Sequence, residues 1–292
     1  MFHLNYISPD SLEELLAVLH LHAGEARLIA GGTDLIPQMR LSRQSPKLLI
    51  DSHRLPWVGI AETNGCICLP ASLTHSQVLS SPLLKNAYPA LVNACQQVGG
   101  PPVRNRGTLA GNLANASPAA DSALPLLVYD AQIIAARHDG ERIIPLNEFY
   151  LGPGKTRLAV DEFIREIRMP KTPPRTLAVF LKLGNRQSMA IAVASVALRL
   201  SLDELGKVIQ ARLALGSVAP TPLRAYQAEA ILQSNPLSED TILLAAQAAR
   251  QAASPISDLR ASAGYRRKMV SVLTRRALEM VCTEITHGYA NG

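Results

Sequence analysis

With 292 residues, 48% of them apolar and 18% charged, the chain has the length of roughly two ordinary domains and a globular composition, which excludes collagen, coiled coil and wholesale disorder. Its 29 Lys and Arg against 23 Asp and Glu leave a formal charge of +6, scattered rather than run together, and its aromatics are one Trp, seven Tyr and four Phe. A nucleic-acid reader, which needs a concentrated basic track or a stacking platform, is excluded, and so is a membrane partner.

Ser8-Pro9-Asp10 ahead of Leu12, Leu15, Leu16 and Leu19 predicts a helix capped by Ser8, with proline in its first position and an end near Gly24. Residues 27–30 predict a short strand running into Gly31-Gly32-Thr33-Asp34. A short helical segment over Leu35, Met39 and Leu41 and a second strand over 48–51 follow. Residues 58–61 and 66–69 flank Glu62-Thr63-Asn64-Gly65, where Asn-Gly is a hairpin signal. Thr74 and Gln77 form a capping box for one short helix. Pro89 opens another, carrying Leu91, Val92 and Cys95, which Gly99-Gly100-Pro101-Pro102 ends. A second hairpin, 132–136 against 142–144, turns at Asp139-Gly140, and Pro170, Pro173 and Pro174 mark a linker. Beyond it come two long strands, 190–202 and 207–215, and helices at about 225–232, 238–253 and 262–286. The expected organisation is therefore a first lobe over 1–55, a second over 56–173 and a C-terminal α+β domain over 174–292.

The longest apolar stretch, 190–198, ends at Arg199 and is far too short to span a bilayer, and no basic region precedes an apolar one at the N-terminus. The expected setting is cytoplasmic. Cys66, Cys68, Cys95 and Cys282 form no Cys-x-x-Cys pair and have no His at zinc spacing, so they read as free thiols that cannot hold an iron–sulfur cluster or a metal. His75 reads as a solvated histidine, Arg104 and Arg106 as members of structural ion pairs, and Met169 and Met189 as packing residues. Arg266, Arg267, Lys268, Arg275 and Arg276 read as one solvated or subunit-facing side of the last helix.

Two glycine-bearing segments remain, and neither has Rossmann or P-loop spacing. The first is Ala30-Gly31-Gly32-Thr33-Asp34, where residues without side chains let backbone N–H groups converge on an anion. The second runs from Arg104-Asn105-Arg106-Gly107 through Thr108-Leu109-Ala110-Gly111-Asn112 to Asn115 and Asp121, and is almost entirely small or hydrogen-bonding. Either alone reads as a tight turn. Facing each other, they would hold a diphosphate through main-chain amides rather than through Lys or Arg, leaving Asp121 free to accept from sugar or ribityl hydroxyls, so a dinucleotide is the natural ligand.

In order and separation these segments resemble the flavin-binding subunit of the molybdenum hydroxylases, the xanthine dehydrogenase and carbon monoxide dehydrogenase family. Gly31-Gly32-Thr33-Asp34 is similar to its first phosphate loop and Thr108-Leu109-Ala110-Gly111-Asn112 to its Thr-x-Gly-Gly-Asn loop, with Ala110 in place of the first glycine. Ala116-Ser117-Pro118, Gly152-Pro153-Gly154-Lys155, Asp258-Leu259-Arg260-Ala261-Ser262 and Tyr265-Arg266-Arg267 extend the likeness. The resemblance implies an α+β, two-lobed FAD-binding fold of the PCMH/VAO type followed by a small domain with an antiparallel sheet. It implies FAD held by Ala30, Gly31, Gly32, Thr33, Asp34, Leu35, Val98, Val103, Thr108, Ala110, Gly111, Asn112, Asn115, Asp121 and Ile164, with Lys182 near the flavin. It also implies molybdopterin and [2Fe-2S] clusters on partner subunits, and electrons passed through FAD to an acceptor such as NAD. The rival readings are a free-standing FAD-dependent oxidoreductase on the same fold and a cofactor-free assembly subunit.

Overall fold

The computed structural model describes residues 4–290; residues 1–3 and 291–292, which fall within the expected segments, lie outside it. The chain opens with β1 (Asn5–Ile7), α1 (Leu12–Leu21), β2 (Ala26–Ile29), α2 (Leu35–Arg40) and β3 (Leu48–Asp51), whose strands form a parallel sheet in the order β1-β3-β2. The cap of α1 is Ser11, not Ser8: its Oγ accepts from the Glu14 N–H at 3.1 Å. The Glu14 carboxylate in turn accepts from the Asp10 N–H at 3.0 Å, which satisfies a second free donor and leaves Pro9 ahead of the helix.

The middle of the chain carries β4 (Ala61–Thr63), β5 (Cys66–Pro70), α3 (His75–Ser80), α4 (Pro82–Ala87), α5 (Pro89–Gln96), α6 (Pro101–Arg106), α7 (Leu109–Ala114) and α8 (Ala123–Val128). Then come β6 (Gln132–Arg137), β7 (Gly140–Pro145), α9 (Leu146–Phe149), β8 (Tyr150–Gly152), β9 (Lys155–Thr156) and β10 (Phe163–Pro170). An antiparallel sheet runs β4-β5-β10-β6-β7. In its first hairpin only Asn64 and Gly65 turn, with φ of +50° and +73°. Glu62 and Thr63, expected in the turn, therefore pair with Ile67 and Cys66, and the strand lies later than the sequence suggests. Gly99-Gly100-Pro101-Pro102 does more than end α5. Gly99 takes φ of +46°, and the two prolines, which lack the N–H a first turn leaves unused, start α6.

The C-terminal part is β11 (Thr176–Gly184), β12 (Ala192–Leu202), β13 (Val208–Gly216), β14 (Leu223–Arg224), α10 (Tyr226–Ser234), α11 (Glu239–Ala252) and α12 (Ala263–Ala290), its antiparallel strands in sequential order. All of β12 is buried because both faces are covered. Val196, Leu198 and Leu200 pack with Ala228, Ala245 and Val270 of the last three helices, whereas Ala197 and Ala214 join the core of the middle sheet with Leu91 and Leu124. Arg199, which ends the apolar run, is buried as well. It meets Asp130, a left-handed residue (φ +52°) that also accepts from Arg212 and Arg224, each at 3.0 Å, while Arg224 pairs with Glu229. This cluster ties the turn after α8 to three strands of the C-terminal sheet.

Arg266 is not solvated. It is 2% exposed and donates to the carbonyls of Val193 (3.0 Å) and Ser217 (2.8 Å) and to Asp258 Oδ1 (2.6 Å), pinning the start of α12 to the sheet. Hydrogen bonds from Arg260 and Arg266 hold the Asp258 carboxyl below the ordinary carboxylate range. Met169 is buried, whereas Met189 is about half exposed in a left-handed bend between β11 and β12, with its Sδ and Cε lying over Gly100. Among the described residues no helix is long and apolar enough to cross a membrane.

Candidate cofactor-binding site

The two glycine segments touch. A Cβ on Gly31 would stand 2.1 Å from the Arg106 carbonyl oxygen and 2.9 Å from Gly107 Cα, and one on Gly107 would stand 3.4 Å from Thr33 Oγ1. No other residue type fits Gly31, because side-chain-free backbone is the condition of the contact. Gly32 has a different reason to be glycine, a left-handed φ of +70°. The bend leaves the N–H groups of Gly31, Gly32, Thr33 and Asp34 without an acceptor within the described chain, although the carbonyls of Gly32 and Asp34 are used by α2.

The second segment is held by a different device. Thr108 bridges to Thr74, the Leu109 N–H donates to the Leu73 carbonyl at 3.0 Å, and Thr108 caps α7, its Oγ1 accepting from the Gly111 N–H at 3.0 Å. The N–H groups of Gly111 and Asn112 are thus consumed by the cap. Those of Thr108 and Ala110 remain open. Ala110 lies inside α7 with ordinary helical backbone, so its methyl imposes no backbone strain. Ser122 Oγ donates to Asn112 Oδ1 at 2.7 Å, which fixes the amide, and Gln38 Nε2 donates to Asn115 Oδ1 at 3.0 Å, joining α2 to the end of α7.

Between the segments runs a cleft of about 480 Å³, within the range of small-molecule sites. It is walled by Leu28, Ile29 and Leu35 on one side and by Val98, Val103, Leu158, Phe163 and Ile164 on the other. A β-bulge between Ile164 and Glu166 lets β10 bend there. Pro153-Gly154, with φ of +68° at the glycine, brings Gly154 to the rim through its N–H bond to the Ala116 carbonyl at 3.0 Å. Among the described lining residues Arg27 is the one Lys or Arg, whereas Asp34 and Glu162 are acidic. Glu162 is already neutralised: the hydrogen-bonded Arg142 holds its carboxyl below the usual range. An anion here meets main-chain N–H groups and neutral side-chain donors rather than a cluster of cations.

Of the residues expected at the cofactor, Ala30, Gly31, Gly32, Thr33, Asp34, Leu35, Val98, Val103, Thr108, Ala110, Gly111, Asn112, Asn115 and Ile164 line this cleft. Asp121 and Lys182 do not. Asp121 is not free. Its Oδ2 accepts from Lys182 Nζ at 2.5 Å, and that ammonium also donates to the Gln97 carbonyl at 3.1 Å. Burial pushes the Asp121 carboxyl up to about 6 against the pull of Lys182, and its Oδ1 is buried with no partner. Among the described residues Arg104 and Arg106 form no ion pair: Arg104 donates to the carbonyls of Val98 and Gly99 at 3.1 and 3.0 Å, tying the approach to α6. His75 is the larger surprise, being 2% exposed and part of the lining. Its signal was the Thr74–Gln77 capping box, which fixes the ring at the first position of a packed helix.

The model of the FAD-binding domain in molybdopterin dehydrogenase matches residues 2–172. The chain belongs to the FAD-binding subunits of the molybdenum hydroxylase family. The model of the carbon monoxide dehydrogenase flavoprotein C-terminal domain matches 179–281. Within this family, the xanthine dehydrogenase FAD-binding subunit of Escherichia coli O157:H7 is 32% identical, covering 87% of this chain and 88% of its own. The 6-hydroxypseudooxynicotine dehydrogenase complex subunit alpha of Paenarthrobacter nicotinovorans is 32% identical over 94% of this chain and 93% of its own. A structure of carbon monoxide dehydrogenase from Hydrogenophaga pseudoflava superposes with a TM-score of 0.92 at 33% identity, covering 96% of this chain and 98% of that one. The chain is thus an oxidoreductase-type FAD-binding subunit, with a cofactor domain of helices around a parallel and an antiparallel sheet, followed by a domain built on an antiparallel sheet.

Proposed function

We propose that this chain is the electron-relay subunit of a molybdenum-dependent hydroxylase, placed between iron–sulfur clusters on one partner subunit and a soluble acceptor such as NAD. The observation that supports it most is the contact of the two loops, which gathers unpartnered N–H groups in a cleft nearly devoid of cations. In this reading Gly31, Gly32, Thr33 and Asp34 hold the FAD diphosphate from one side, and Thr108, Ala110 and the amide of Asn112 from the other. Asn115 faces the sugar region, and Leu35, Val98, Val103 and Ile164 exclude water. FAD exchanges electrons singly or in pairs, and so connects one-electron clusters with a two-electron acceptor.

The chain's own contribution is binding, orientation and charge. Lys182, locked between Asp121 and the Gln97 carbonyl, keeps a buried cation where β11 meets the end of α5. Among the described residues no cluster of His, Cys, Asp and Glu could hold a metal ion. In this reading, as family membership implies, molybdopterin and the clusters sit on a molybdopterin subunit and an iron–sulfur subunit, and the complex works in the cytoplasm. In this reading the substrate is chosen on the molybdopterin subunit, in keeping with relatives named for xanthine, 6-hydroxypseudooxynicotine and carbon monoxide standing at similar identities of 32–33%.

The reading is tested on the complex purified with its partners. With FAD stripped, reduction of NAD by the hydroxylated substrate is expected to stop, while reduction of a one-electron dye that takes electrons directly from the clusters continues. Undiminished NAD reduction after stripping would remove this chain from the electron path.

A further inference from the structure

Beneath the contact of the two loops lies His75, the first residue of α3, to which neither loop motif gives a role. Its main-chain N–H donates to the Gly107 carbonyl at 3.0 Å, and the Thr74–Gln77 capping box, with both of its hydrogen bonds made, sets the helix start. The ring cannot drift. Nδ1 stands 3.4 Å from Cys95 Sγ, and Cδ2 is 3.3 Å from the point where a Gly107 methyl would sit, the same point that lies 3.4 Å from Thr33 Oγ1. Thus the imidazole is packed under the junction of both loops. Among the described residues Nε2 has no hydrogen-bond partner, yet it is not among the sealed, unsatisfied atoms. What little of the ring is exposed therefore opens to the cleft that His75 lines.

The protonation of this pair follows from its surroundings. Cys95 is wholly buried, and burial drives its thiol well above the ordinary range, so it keeps its proton. Burial, and then the Arg104 charge, push His75 down to about 4, so the ring is neutral and carries a single N–H. With Cys95 S–H donating to Nδ1, that proton sits on Nε2, the nitrogen facing the cleft. The opposite tautomer would turn a lone pair toward any anion bound there, so an anion selects the first.

We propose that His75 is a direct ligand of the bound dinucleotide, its Nε2–H donating to a diphosphate oxygen while Cys95 behind it sets the tautomer. The assignment rests on the FAD reading above and adds a side-chain donor to the main-chain set. It explains why a polar ring is buried under a glycine junction that a second ligand-free donor would only destabilise. A neutral donor to a charged acceptor suits a cleft that holds its anion without Lys or Arg.

The test is FAD titration of the full chain, wild type against His75→Leu, His75→Gln and His75→Asn, with the melting temperature of each FAD-free chain measured beside it. A hydrogen bond to a charged group corresponds to a loss of about ten- to a hundredfold in affinity for His75→Leu. His75→Gln, whose amide reaches the Nε2 position, is expected to recover most of it, and His75→Asn, which reaches only the Nδ1 position, to recover none. Should His75→Leu fail to fold, the Gln and Asn variants still discriminate. Equal affinity in all four proteins, or equal loss in Gln and Asn, overturns the assignment but leaves the FAD reading standing. A folded wild-type chain that binds no FAD overturns that reading itself.

Discussion

Replacing Gly31 by alanine is expected to lower FAD affinity at least about a hundredfold and to cost roughly 2 to 3 kcal/mol of stability. The cause is space, not backbone angle. The added Cβ would sit 2.1 Å from the Arg106 carbonyl oxygen and 2.6 Å from its carbon, and backbone cannot rotate away as a side chain can. The loops must part, and with them the opposed N–H groups that make the site. Gly32→Ala is the instructive comparison. There the neighbours are Ile29 and Ile36 side-chain atoms at 3.3 and 3.4 Å, which can adjust, so the cost is the left-handed φ alone, about 1 kcal/mol. Gly59→Ala, with nothing within 4 Å, is the neutral control. Titration with FAD and thermal melting of the three variants checks the order Gly31, Gly32, Gly59. Wild-type affinity in the Gly31 variant would mean that the loop contact does not shape the site.

Removing the carboxylate of Asp130 is expected to cost about 3 kcal/mol, toward the low end for breaking a buried ion pair because Asp130 is about a third exposed (34%). Asp130→Ala would leave Arg199, whose side chain is 4% exposed, with only Gln210 Oε1 at 2.6 Å. Arg212 would keep a single main-chain bond, to the Ala211 carbonyl. Arg224 would keep Glu229, so the loss concentrates on the first two. Alanine also tolerates the φ of +52° less well than aspartate or asparagine. Asp130→Asn therefore isolates the charge and should fall between wild type and alanine. For a chain of this size the alanine variant corresponds to a melting temperature lower by roughly 5 °C. Because the cluster joins the turn after α8 to β12, β13 and β14 rather than lining the cleft, FAD affinity in the folded variant is expected to stay near wild type. A melting temperature within about 2 °C of wild type would show that the arginines are satisfied without Asp130.

What the residues reveal in advance follows a physical division. Local signals were sound where one residue dictates geometry: Asn64-Gly65 turned, Thr74 and Gln77 capped, and Gly31-Gly32 bent after a strand. The cap of α1 went to Ser11 because Ser8 and Ser11 are equally good acceptors in sequence, and only the reach of Glu14 back to Asp10 separates them. Strands β10 and β11 gave no clear pattern. Phe163–Pro170 mixes arginines into its ladder because they pair with Glu141 and Glu166, contacts that no periodicity encodes. The same limit applies at the site. Both loops were legible because glycine and small residues are costly to keep for no reason, whereas the burial of His75, the Asp121–Lys182 pair and the inward turn of Arg266 depend on segments 20 to 73 residues apart in the chain.

The central claim is that main-chain hydrogens from two touching loops hold the diphosphate of FAD. It is tested most directly by equilibrium titration of the purified full chain with FAD at about 0.1 M and about 1 M salt, where screening differs strongly. The account predicts near-equimolar uptake and an affinity that changes by no more than about threefold, because neutral donors in a cleft lose little to screening. A folded chain that takes up no FAD, or one whose affinity collapses at high salt as a site built on lysine and arginine would, contradicts it.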